Sequence, residues 1–219
     1  MKALVISLLF AVVAAKFDDK RICDAGGFAC YNTKEIPKGF PKDVAEVDAK
    51  CSMTVEQSDC MSDLVDLCGN IFPMFPEGYF GRLKTKVHKV CDKDSALYQA
   101  LVKDVACMKS AYDNSKDYCS KLGDDTEENA KKEKGFNLYE WNKFQCMSYI
   151  VEKSCNIAKI RESCGEKAEN TLLEIAKDFK TEDGICMDES YQQAVDLLKS
   201  ITLEPSLKSQ ILKHLKRIS

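Results

Sequence analysis

Residues 95–119 read SALYQALVKDVACMKSAYDNSKDYC. Within them Leu97, Leu101, Val105, Met108, Tyr112 and Cys119 recur at spacings of 3, 4 and 7. Such spacing keeps every one of these side chains on one face of an α-helix, which predicts an amphipathic helix here. The register recurs outward in both directions. Upstream, from Thr54 to Cys68, Cys60, Met61, Leu64, Leu67 and Cys68 share a face, and Gly69-Asn70 supplies the stop. Downstream, Asn137 and Glu140 have the spacing of a capping pair ahead of Leu138, Tyr139, Trp141, Phe144, Met147, Tyr149 and Ile150. That last set runs nearly all the way round a helix, as expected of a central, buried one.

Three further helices complete the set. Glu166 to Phe179 presents Ala168, Leu172, Ile175, Ala176 and Phe179; another runs from about Asp188 to Ile201; Pro205 suits the first turn of a last helix from Ser206 to Ile218. No segment sustains the alternation of a strand. The expected fold class is all-α, a disulfide-stapled helical bundle with an irregular N-terminal arm. The arm, residues 16–50, carries Gly26-Gly27, Pro37, Gly39 and Pro41, all poor helix residues, and is tied down by Cys23 and Cys30.

The first fifteen residues have the pattern of a secretory signal peptide: Lys2, an apolar run from Leu4 to Val13 broken only by Ser7, then the small residues Ala14-Ala15. Cleavage there would leave 31 basic against 35 acidic residues, since Lys2 is the one charge lost. A mildly acidic surface argues against nucleic-acid binding, which needs clustered positive charge. Lys20-Arg21 is a dibasic pair that either ends a short propeptide or sits in solvent.

All twelve cysteines follow the leader: Cys23, Cys30, Cys51, Cys60, Cys68, Cys91, Cys107, Cys119, Cys146, Cys155, Cys164 and Cys186. An even number in a secretory context predicts six disulfides, with the pairing unreadable from sequence. Zinc is disfavoured because no C-x-x-C pair exists and neither His88 nor His214 has a partner ligand at finger spacing. Cys107 points away from the 95–119 stripe, so its partner is expected from a different segment than that of Cys119. Eight cysteines precede the charged run between Gly123 and Gly135, and four follow it. Residues 122–136 therefore read as a linker or loop between an N-terminal helical part, 16–121, and a C-terminal one, 137–219, unless one continuous core spans both. Cys-Met recurs at 60, 107, 146 and 186, a faint echo of duplicated helical hairpins.

Catalytic patterns are missing from the sequence. There is no H-E-x-x-H, no G-x-S-x-G and no phosphate-cradling glycine loop. With two histidines and all cysteines bridged, an activated nucleophile has few bases to draw on. His88 lies in the basic stretch 84–89 and reads as a surface residue. The expectation is a protein that is not an enzyme and needs no cofactor or metal. No Asn-x-Ser/Thr sequon occurs.

Two segments stand out as candidate contact sites. Residues 71–80, IFPMFPEGYF, place Phe72, Met74, Phe75, Tyr79 and Phe80 around two prolines. They either line a pocket for an apolar ligand or partner, or fold back to close the core. On the C-terminal helix Leu207, Ile211, Leu215 and Ile218 fall in a narrow arc, with Lys213, Lys216, Arg217 and His214 over much of the other side. Such a helix either docks on a membrane or partner, or covers a core with its apolar stripe.

The cysteine usage, in Cys60-Met61 and Cys146-Met147 helices and in Cys155-x8-Cys164-Gly165, resembles secreted cysteine-rich proteins of unknown function from nematodes and arthropods, of the hemolymph or venom type. The resemblance carries no functional residues. The reading that follows is a secreted, extracellular, non-catalytic binding protein, with a small apolar ligand as candidate cargo. The alternative is a venom-type toxin or effector acting on a membrane protein or bilayer.

Overall fold

The computed structural model describes residues 22–24, 30, 39–69, 71–73, 75–179, 186 and 188–218. The leader at 1–15, the dibasic pair Lys20-Arg21, the glycine pair at 26–27, Pro37, Asn70 and Met74 lie outside them. Among the described residues the fold is carried by α1 Val44–Cys68, α2 Tyr79–Cys91, α3 Ala96–Lys134, α4 Trp141–Cys164, α5 Glu166–Phe179, α6 Asp188–Ser200 and α7 Pro205–Ile218. The described residues contain no strand, and the chain is all-α.

The stripe of residues 95–119 is buried along α3 except for the half-buried Tyr112, and Ser95 caps the helix by accepting the Tyr98 N–H. Gly69 ends α1 at φ 74°, donating its N–H to the Val65 carbonyl. In α4, Phe144, Met147, Ile150, Val151, Ile157 and Ile160 are buried on several faces, because α3, α5, α6 and α7 all pack against this one helix. Its start departs from the sequence reading. Leu138 to Glu140 form a 3-10 turn, and Leu138 and Trp141 remain 75% and 48% exposed. The apolar all-round character of α4 therefore begins only at Phe144.

Four other expectations need correction. The irregular arm ends at Asp43, whose carboxylate caps α1 through the Glu46 N–H; the breakers at 37–41 hid a helix that buries Val47. Leu67, placed on the inner face of α1, is 53% exposed. The charged run is no linker: α3 continues through Lys134, with Lys121–Asp125, Lys131–Glu127 and Lys132–Glu128 paired one turn apart. Gly123 is tolerated inside it because α4 passes closely. A Cβ there would meet the Ser148 carbonyl oxygen at 2.8 Å.

The disulfides supply the fourth correction. Cys23–Cys68, Cys30–Cys60 and Cys51–Cys91 close among the first six cysteines. Cys107–Cys164 and Cys119–Cys155 both run from α3 to α4, and Cys146–Cys186 joins α4 to the segment before α6. The partners of Cys107 and Cys119 thus come from one and the same antiparallel helix, the first on its exposed edge. Two bridges cross the boundary at 122–136, so eight and four cysteines do not close separately. The Cys-Met echo has no counterpart in the pairing, since Cys60 bonds upstream, Cys107 downstream and Cys146 to Cys186.

Candidate functional site: a cavity between α4, α5 and α7

The long helices α3 and α4 are pinned together by two bridges, and α5 folds back over the C-terminal half of α4 after Gly165. Between them a cavity of about 300 Å³ remains. Its walls come from apolar side chains: Tyr149, Ile150, Ile157 and Ile160 of α4, and Leu172, Leu173, Ile175, Ala176 and Phe179 of α5. Phe40, Tyr112 of α3, Tyr191 of α6 and Ile218 of α7 add to them, as does the bridged Cys186. Leu172, Ile175, Ala176 and Phe179 are only half-buried, which is what a stripe facing a void in place of a packed neighbour looks like.

A few polar groups enter this wall. Asn156 accepts a hydrogen bond from Ser115 Oγ on its Oδ1 (3.1 Å), while its Nδ2 is buried without a hydrogen-bond partner. His214 is 3% exposed and Glu169 behind it 1%. His214 Nε2 lies 3.2 Å from Glu169 Oε1, Arg161 Nη1 lies 3.3 Å from the same oxygen, and Arg217 Nη1 lies 3.3 Å from Oε2. Burial pushes the Glu169 carboxyl up, but the His214 hydrogen bond and the two guanidinium charges outweigh it and hold the group below its ordinary range. Burial pushes His214 down, more than Glu169 raises it. One carboxylate facing two arginines already carries excess positive charge, so His214 stays neutral at neutral pH. A carboxylate only accepts, so Nε2 carries the imidazole proton and donates it to Glu169. Nδ1 is left buried with no hydrogen-bond partner.

Lys153 is the one lining residue that is both charged and exposed. Its Nζ sits 4.8 Å from the centroid of the Tyr149 ring, and it joins none of the ion pairs among the described residues. Among the described residues no carboxylate lines the cavity.

The residues singled out from the sequence fall elsewhere. Phe72, Phe75, Tyr79 and Phe80 stack on one another at the entrance to α2, with centroids 4.6–6.4 Å apart. Tyr79 and Phe80 are buried, and none of the four lines the cavity. On α7, Ile211 and Leu215 are buried, and Leu207 and Ile218 pack against the same core; Lys213 and Lys216 face outward, while Arg217 turns back to Glu169. Sequence reasoning placed His214 with those cations, whereas it lies inside on the ion-pair cluster. His88 is exposed, its Nε2 2.7 Å from Asp59 Oδ1. The described residues contain no cluster fit to hold a metal ion, and no helix long and apolar enough to cross a membrane.

No family model, curated protein or solved structure matches this chain.

Proposed function

We propose that this is a secreted, non-catalytic carrier of a small apolar ligand. The observation that carries the reading is the cavity itself, about 300 Å³ with mostly apolar walls and a few buried polar groups, at the small end of the range for ligand sites. Asn156 Nδ2 and His214 Nδ1 are buried groups without hydrogen-bond partners in the protein, so the otherwise apolar wall offers two points to water or to a polar atom of the ligand. The non-catalytic reading is supported by chemistry: all twelve cysteines are bridged, the side-chain partners of His88 and His214 are the carboxylates Asp59 and Glu169 and not a hydroxyl nucleophile, and His88 stands on an open surface. Six disulfides suit an oxidising, extracellular setting. A membrane-active role for α7 would require its apolar stripe to leave the core.

The test is native mass spectrometry of the protein secreted from a host that forms disulfides, together with titration of Nile red. The expected result is a small-molecule adduct lost on denaturation, or dye binding at one site. The variant Ala176→Trp, which fills the cavity, should lose both while keeping its helical circular dichroism. A bare mass with no dye binding would refute the carrier reading.

A further inference from the structure

Resting on the carrier reading above, we propose that the cargo is an aliphatic carboxylate of about ten carbons, its chain in the cavity and its carboxylate at Lys153. The size follows from the void. About 300 Å³ equals roughly ten waters at ~30 Å³ each, so it accommodates a chain of about ten methylene-sized units. The walls from α4 and α5 are aliphatic along most of their extent, which suits a saturated chain better than a polar ring system.

The sign of the head group follows from the charges. A cationic amphiphile would meet Lys153 and find no carboxylate among the described lining residues. A carboxylate would meet a lysine that no acidic side chain neutralises and whose ammonium is held over the Tyr149 ring. Lys153 is exposed, so the head group would stay at the mouth, in contact with water, while the tail leaves it. Such an arrangement avoids the cost of burying a carboxylate. Other lysines near α4 are already committed: Lys159 pairs with Glu162 and Lys143 with Glu140.

The test is calorimetric titration of the intact, disulfide-bonded protein with decanoate, decan-1-ol and decyltrimethylammonium at pH 7.4. Wild type is compared with Lys153→Met and, as a control outside the lining, Lys159→Met. Decanoate should bind wild type, and Lys153→Met should weaken it about two- to fivefold, as befits one solvent-exposed ion pair. Lys153→Met should leave decan-1-ol unchanged, and Lys159→Met should alter neither ligand. Added salt should erode the wild-type preference for decanoate. The inference is overturned if Lys153→Met leaves decanoate unaffected or weakens decanoate and decan-1-ol equally. It is likewise overturned if decan-1-ol binds and decanoate does not, a result that would hand head-group recognition to Asn156 and His214. In these cases the carrier reading survives. If none of the three ligands binds and Nile red does not either, the carrier reading falls, and this inference with it.

Discussion

Replacing Glu169 by Gln tests the buried charge cluster behind the cavity wall. The change keeps the shape and still offers an acceptor to His214 Nε2, so the loss reports the negative charge together with the acceptor that Arg217 loses. Removing one member of a buried ion pair typically costs about 3–5 kcal/mol, because the remaining charges stay desolvated. Here the two arginine side chains keep 44% and 34% of their exposure and can turn toward water. The cost should therefore sit lower, at about 2–3 kcal/mol. For a chain of this size each kcal/mol moves Tm by roughly 2–4 °C, so Glu169→Gln should melt roughly 5–10 °C lower. Differential scanning calorimetry with the disulfides intact measures this. The cluster also predicts a change of sign. In an Arg161→Met/Arg217→Met background the carboxylate is the uncompensated charge, and Glu169→Gln should become neutral or stabilising. A drop below about 2 °C in the wild-type background, or the same drop in both backgrounds, would refute the reasoning.

The remaining predictions address pH, helix contact and covalent stapling. His214 sits below its ordinary value of 6.5, so on acidification the unfolded chain takes up that proton first. Stability should decline as pH falls through and below 6.5, and again below 4.5 as Glu169, also depressed, must be protonated. His214→Asn should flatten the first decline in Tm measured between pH 7 and 5; an unaltered profile would remove His214 as its source. Gly123→Ala should destabilise by about 1–3 kcal/mol through overpacking, since its Cβ would lie 2.8 Å from the Ser148 carbonyl oxygen. Gly81→Ala, in open space on α2, should instead gain up to about 1 kcal/mol in helix propensity, and urea titration of the pair would show opposite signs. Cys119→Ala with Cys155→Ala should cost about 2–5 kcal/mol in thermal melts, with the helical spectrum retained at 20 °C.

How far the sequence carried depended on which physical signal each element used. The 95–119 stripe was legible because its residues meet a neighbour on one side only, and that leaves a 3.6-residue period. The charged half of α3 was misread because acidic and basic residues four apart look like a solvated run until the chain is known to be helical; then they are pairs on one face. Gly123 compounded the error, since a glycine demanded by close helix approach is indistinguishable in sequence from one that breaks a helix. The disulfide map required the antiparallel arrangement of α3 and α4, which spacing cannot supply. The cavity was invisible for a different reason. A residue facing a void and a residue facing a packed neighbour have the same side chain, so Leu172, Ile175 and Ala176 read as core. The aromatic run at 71–80 attracted the ligand reading because it is locally dense in rings, yet its rings satisfy one another.

That a void persists in this fold needs an explanation of its own. The cavity walls lose packing partners wherever no atom faces them, a cost that grows with the apolar surface left uncovered and is eased only where the mouth at Lys153 admits water. A helical bundle free to slide would recover much of that by collapse. Here collapse is restrained at three points: two bridges fix α3 against α4, and Cys146–Cys186 holds the segment that contributes Cys186 to the wall. These bonds limit how far α4 can shift against α3 and against the wall segment at Cys186, and an apolar ligand seated in the space would return the lost contacts. Small proteins use disulfides in place of a core. This chain has a core, and its bridges are better understood as the frame that holds a gap within it.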